Sequence, residues 1–170
     1  MQLPNALLSG LAGAVALTTF NESARRIVPQ APRMDLLGEQ AFAKLLSNLG
    51  ETPPTGDRLY AASLAGDLIS NAVYYSAVGA GDPKNAVRNG LMLGLAAGAG
   101  AVGLPGPLGL SESTTSRSTT TSLLTVGWYV VGGLVAGLTY RLLANRAARK
   151  RTTPNGGTKI LPKTPDALAS

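Results

Sequence analysis

Leu59 to Val78 reads LYAASLAGDLISNAVYYSAV. At about 1.5 Å per residue a helix of this length crosses the roughly 30 Å hydrocarbon core of a bilayer. The run is apolar enough to do so except at Asp67. Ser63, Asp67 and Asn71 recur at i, i+4 spacing, and Ser70 and Tyr74 fall on the same side. The result is one polar stripe on a helix that should otherwise be apolar all round. An ionisable group at that depth costs at least ~2.5–3.5 kcal/mol against lipid, so it is expected to face a bundle interior or water. The stretch therefore predicts an integral membrane protein with a polar interior.

Three further apolar blocks flank it. The first, about residues 5–27, is rich in Ala, Gly and Leu. No Lys or Arg precedes it, unlike a secretory leader, so it is expected to be retained. The third span covers about 86–102, and the fourth 123–143, with Trp128 and Tyr129 in its first third. Pro105 and Pro107 either end the third span or bend it into a re-entrant segment. Between the first two spans, Met34 to Leu49 has an amphipathic pattern: Met34, Leu37, Ala41 and Leu45 form one row, and Phe42, Leu46 and Leu49 the next. It is short for a span and carries Asp35, Glu39 and Lys44, so an interfacial helix over about 34–49 is expected. The Ser/Thr-rich stretch Ser111 to Ser122 reads as a flexible loop. The fold expected is all-α: a four-helix transmembrane domain over 1–143 and a disordered basic tail over 144–170.

Composition narrows the chemistry. Among 170 residues there is no cysteine and no histidine. This removes disulfides, Cys/His metal sites, His-ligated haem and every His-based acid/base mechanism, and weakens the case for an enzyme without closing it. No catalytic residue, cofactor or metal site is read. Charged residues make up 14%, against about 25% in ordinary soluble domains. The net charge of +6 is concentrated towards the C-terminus, at Arg146, Arg149, Lys150, Arg151, Lys159 and Lys163. No aromatic residue in that tail could stack on a base, so nucleic acid is not expected as a partner. Beside a span, such a tail attracts anionic lipid headgroups and marks the cytoplasmic side. With four spans both termini lie inside. The inner side then carries nine basic residues, adding Lys84, Arg88 and Arg141 to those six, and the outer side six: Arg25, Arg26, Arg33, Lys44, Arg58 and Arg117.

Two features could carry function. Span 1 ends where span 2 begins, so Glu22, Arg25, Arg26, Ser63, Asp67, Ser70, Asn71 and Trp128 could converge on one polar intramembrane site. Two readings of it stand side by side. It is a binding site or ion path, or it is structural, with Arg25 or Arg26 paired to Asp67 and Glu22 to Arg26. The second feature is a set of small residues at four-residue spacing. Gly90, Gly94 and Gly98 on span 3, and Gly133 and Gly137 on span 4, let backbones approach closely, either within one chain or between copies in a homo-oligomer. The glycines from Gly98 to Gly109 are not a phosphate loop, because no Gly-Lys-Ser/Thr ending follows.

The stretch Gly10-Leu-Ala-Gly-Ala-Val-Ala-Leu running to Asn21-Glu-Ser-Ala-Arg-Arg-Ile-Val-Pro-Gln-Ala-Pro-Arg-Met-Asp, with Ala65-Gly-Asp-Leu-Ile-Ser-Asn and Leu104-Pro-Gly-Pro-Leu-Gly-Leu, resembles a group of small uncharacterised bacterial inner-membrane proteins. The resemblance spans most of residues 6 to 143. It implies a four-helix membrane architecture and no activity. From the residues themselves two functions are expected: a bundle whose pocket at Asp67 binds or conducts a small polar solute, ion or lipid headgroup, or a non-catalytic accessory subunit of a membrane complex.

Overall fold

The structure, a computed structural model, describes residues 2–152. Among them there are only helices, turns and loops. Helix α1 runs Leu3–Ala24, α2 Met34–Asn48, α3 Asp57–Ser76, α4 Ala86–Gly103, α5 Ser113–Ser116 and α6 Thr119–Thr152. Short 3-10 turns at Ala77–Gly79 and Pro83–Asn85 join α3 to α4.

Four long helices stack in the order α3, α1, α6, α4, each antiparallel to its neighbours. The seams are set by residues without bulk. Gly10 of α1 lies against the Ala72 carbonyl and the Ser76 amide of α3, and Gly13 against Gly132 and Ala136 of α6. Gly90, Gly94 and Gly98 meet α6 at successive turns. Gly90 sits on the Gly133 backbone, Gly94 on Tyr129 and Val130, and Gly98 on Val126. Gly137 closes the seam against Ala86 and Val87. Every one of these approaches is to backbone or to a short side chain, so each glycine is where two helix backbones touch. This glycine face is thus occupied within the chain. Tyr75, fully buried, bridges inward and donates to the Tyr129 carbonyl at 2.7 Å.

Two helices, Leu3–Ala24 and Thr119–Lys150, are long and apolar enough to cross a membrane. Helix α3 carries Asp57, Arg58 and Asp67, and α4 is diluted by glycine and opens with Arg88 and Asn89. Length and composition therefore single out α1 and α6 alone. Only 33% of the apolar window of α1 and 39% of that of α6 is buried, which is low for the core helix of a water-soluble domain.

Two expectations are corrected. The tail was expected to be disordered from residue 144, but α6 continues to Thr152. Leu142, Leu143, Ala144, Ala147 and Ala148, interleaved with Arg and Lys, are strong helix formers, and no proline intervenes before Pro154. The rest of that expectation falls on residues 153–170, outside the described region. The Ser/Thr-rich loop is also ordered. Thr114, Thr115, Thr121 and Thr125 are buried, and Thr125 Oγ1 donates within reach of both the Thr115 carbonyl (3.0 Å) and the Thr121 carbonyl (2.9 Å). Arg33 donates its amide to the Thr114 carbonyl at 2.7 Å, and Arg117 binds the Pro29 and Ala31 carbonyls. Threonines bonded to backbone can pack where charged loop residues could not. Thr125→Val should therefore leave buried carbonyls short of a donor, a loss of about 1–3 kcal/mol. The thermal midpoint should fall by several degrees, whereas Thr120→Val, on the exposed side, should not move it.

Candidate functional site

The end of the bundle where α1 stops and α3 starts holds an ionic cluster. Glu22 Oε2 accepts from Arg25 Nε (2.9 Å), Arg25 Nη2 (2.7 Å) and the Tyr60 hydroxyl (2.9 Å). Arg25 also reaches Asp35 at 3.1 Å and lies over the Tyr60 ring, 5.6 Å from its centroid. Arg33 Nη2 binds the same Asp35 oxygen at 2.7 Å. Three elements are fastened here: the last turn of α1, the first turn of α2 and the first turn of α3. Burial raises the Asp35 carboxyl, but the Arg33 hydrogen bonds and the charges of Arg33 and Arg25 outweigh it and hold its pKa below the ordinary 3.8.

Asp67 stands apart from this cluster. The structure gives it no arginine partner: Arg25 is bonded to Glu22 and Asp35, and Arg26 is exposed. The pairings of Asp67 with Arg25 or Arg26, and of Glu22 with Arg26, are not formed. Arg25 follows the last residue of α1 and curls back over its own final turn, well short of the third turn of α3 where Asp67 lies. The Asp67 carboxylate instead accepts from Asn71 Nδ2 at 2.9 Å, one turn along the same helix. Ser63 is buried, its hydroxyl donated to the Tyr60 carbonyl. Ser70 is exposed, and Trp128 packs against the apolar cluster of Leu17, Tyr75, Tyr129 and Tyr140 and lines neither space at Asp67.

Two spaces meet at Asp67. One is a cavity of about 20 Å³, lined by Thr18, Asn21, Glu22, Met34, Asp35, Gly38, Tyr60, Ser63, Leu64 and Asp67. This is room for about one water molecule. The other is an open groove of about 350 Å³ between α2 and α3, walled by Gly38, Ala41, Phe42, Leu45, Ser63, Gly66, Asp67 and Ser70. Helix α2 forms a wall of both.

Sequence reading did not place Thr18, Asn21, Asp35 or Tyr60 at the site. One signal was present: Thr18, Asn21, Glu22 and Arg25 recur at helical spacing on one face of α1. Among the described residues no group of three or more acidic side chains is arranged to hold a metal ion.

By fold and site this is an all-helical bundle with small and polar residues inside and a carboxylate at the edge of a narrow cavity. Comparison with family models, curated proteins and solved structures finds no match to the chain.

Proposed function

We propose that the protein is a four-span integral membrane protein, with both termini cytoplasmic in a bacterial inner membrane, whose pocket at Asp67 binds or conducts a small polar species. The observation that carries this reading is the distribution of side chains. Large apolar residues point outward: Ile69 is 65% exposed, Val73 62%, Met92 60% and Leu123 69%, with Leu3, Leu7, Leu8 and Leu11 along α1. Beside a core of Leu17, Tyr75, Val78, Tyr129 and Tyr140, the interior holds Ser9, Gly10, Gly13, Ser63, Asn71, Gly90, Gly94, Thr121 and Thr125. Contiguous exposed apolar faces of this extent mark contact with lipid or protein. The basic end of α6 then lies beside anionic headgroups, next to Gln2 and Asn5.

The absence of native cysteine makes the test direct. In intact cells, a membrane-impermeant maleimide should modify Ser70→Cys, in the groove, and spare Ile69→Cys, on the apolar face. Equal labelling of both would mean that Ile69 meets water, and the membrane reading would fail. Labelling of neither would remove the water-open pocket.

A second reading, an accessory subunit, is favoured by α2. Apart from the Asp35 side chain it buries little, and Leu36, Leu45 and, just past its end, Leu49 are exposed. Loss of a co-purifying partner on making Leu37, Phe42 and Leu45 polar would support it.

A further inference from the structure

We propose that the cavity beside Asp67 is a binding site for a monovalent cation of sodium size. The inference rests on the reading of this pocket as a site and names its ligand.

The lining supplies oxygen and no cation. Around a space for about one water molecule stand the Asp67 carboxylate, Asn21, Thr18, Ser63, Glu22, Asp35 and the Tyr60 hydroxyl, with no lysine or arginine among the lining residues. Two of these oxygens point to an absent ligand. Asn21 is only 7% exposed and its Oδ1 has no hydrogen-bond partner, and Thr18 Oγ1 is likewise buried and unpartnered. Buried polar atoms are almost always satisfied, and an orphan marks a missing water or ion. Two orphans of one helix, one turn apart, line the same small space.

Charge selects between water and a cation, and between one charge and two. Glu22 and Asp35 are already paired with arginines, whereas Asp67 receives only the neutral Asn71 amide. With Asp67 ionised, the site carries one uncompensated negative charge. A single positive charge balances it, and a divalent ion would leave an excess in a poorly solvated place. Carboxylate, amide and hydroxyl oxygens are hard donors suited to alkali ions. The volume excludes an organic cation.

The test uses the purified full-length chain in detergent, its unfolding followed in NaCl, KCl and choline chloride at equal ionic strength. NaCl should raise the midpoint saturably, by roughly 5–10 °C at a hundredfold excess over Kd, and choline should not. Asp67→Asn should abolish the rise. Thr18→Val gives a sharper outcome. It removes a hydroxyl with no partner, so the midpoint in choline should hold or increase while the sodium affinity falls at least tenfold. A role in packing alone would not separate the two. Equal midpoints of the wild type in all three salts would overturn the proposal, as would a sodium response kept by both variants. If Ser70→Cys is labelled and sodium has no effect, the pocket stands and the ion does not. If sodium acts and Ser70→Cys is not labelled, the ion site stands and the open groove does not.

Discussion

Gly90→Leu is expected to abolish or severely reduce the yield of folded protein. A Cβ at this position would overlap the Gly133 carbonyl oxygen, with the Gly133 carbonyl carbon at 2.9 Å and the Gly137 amide nitrogen at 3.3 Å. All three are backbone atoms and cannot rotate away. Helices α4 and α6 would have to separate, and α4 has nothing in reserve: its buried residues are Ala86, Gly90, Gly94 and Gly98. Overpacking a core typically costs 1–3 kcal/mol, and more where the neighbour is rigid. Here the loss spreads along the whole seam. In lipid, packing of this kind replaces the hydrophobic effect as the force between helices. Gly66 and Gly127 are the controls, since a Cβ on either meets nothing within 4 Å. Replacing them with alanine should leave the midpoint unchanged or raise it, because Gly costs a helix interior up to ~1 kcal/mol relative to Ala. Thermal unfolding in detergent, read from the Trp128 fluorescence, decides it. A Gly90→Leu midpoint within a degree or two of wild type would mean that α4 does not pack on α6 as described.

The same contrast explains what could be read from sequence. The helices were legible because each announces itself locally. The expected segments 5–27, 34–49, 59–78 and 86–102 lie within a few residues of α1 to α4. The stripe at Asp67 was legible too, since Ser63, Asp67 and Asn71 need only one helix to align. What joins Asp67 to Asn21 and Thr18 is the register between α1 and α3. That register is set by Gly10 lying on Ala72 and Ser76, one small residue in a run of small residues. Ala6, Gly10 and Ala14 recur at four-residue spacing and mark a packing face, but the spacing names neither its partner helix nor the register. The partner of Arg25 was misread for a related reason. Asp35 lies ten residues on, past a turn whose path depends on Arg117 holding the Pro29 and Ala31 carbonyls. The buried threonines looked like low complexity because the backbone bonds made by the Thr114 and Thr125 hydroxyls are not displayed by any sequence pattern.

Asp35→Asn is expected to release α2 from the bundle. The Asp35 side chain is 4% exposed and accepts from both Arg25 and Arg33. It also opens the first turn of α2, where a negative charge meets the positive end of the helix dipole. Asparagine keeps the size and removes the charge that both guanidinium groups face. Hydrogen bonds to charged groups contribute about 1.5–3 kcal/mol, so a fall on the order of 5 °C in the midpoint follows. The effect should depend on pH with a definite sign. The folded-state pKa of Asp35 lies below its unfolded value of about 3.8. Its contribution is therefore complete above about pH 4 and is lost as the pH falls through the folded pKa. Between pH 5 and 8 the gap between wild type and variant should be constant, and below pH 4 it should narrow. A gap that widens in acid would sink the assignment. The local consequence is the more telling one. Helix α2 walls the groove at Asp67, and it is held at its start by Asp35 and further along by Lys44, which donates to the Leu108 carbonyl at 2.6 Å. With Asp35 neutral, amide exchange should quicken in α2 while α1 and α6 stay protected. The maleimide should then reach Ser70→Cys faster than it does with Asp35 intact. Faster labelling with an unchanged rate of exchange in α2 would place the entrance to the groove elsewhere than at this helix.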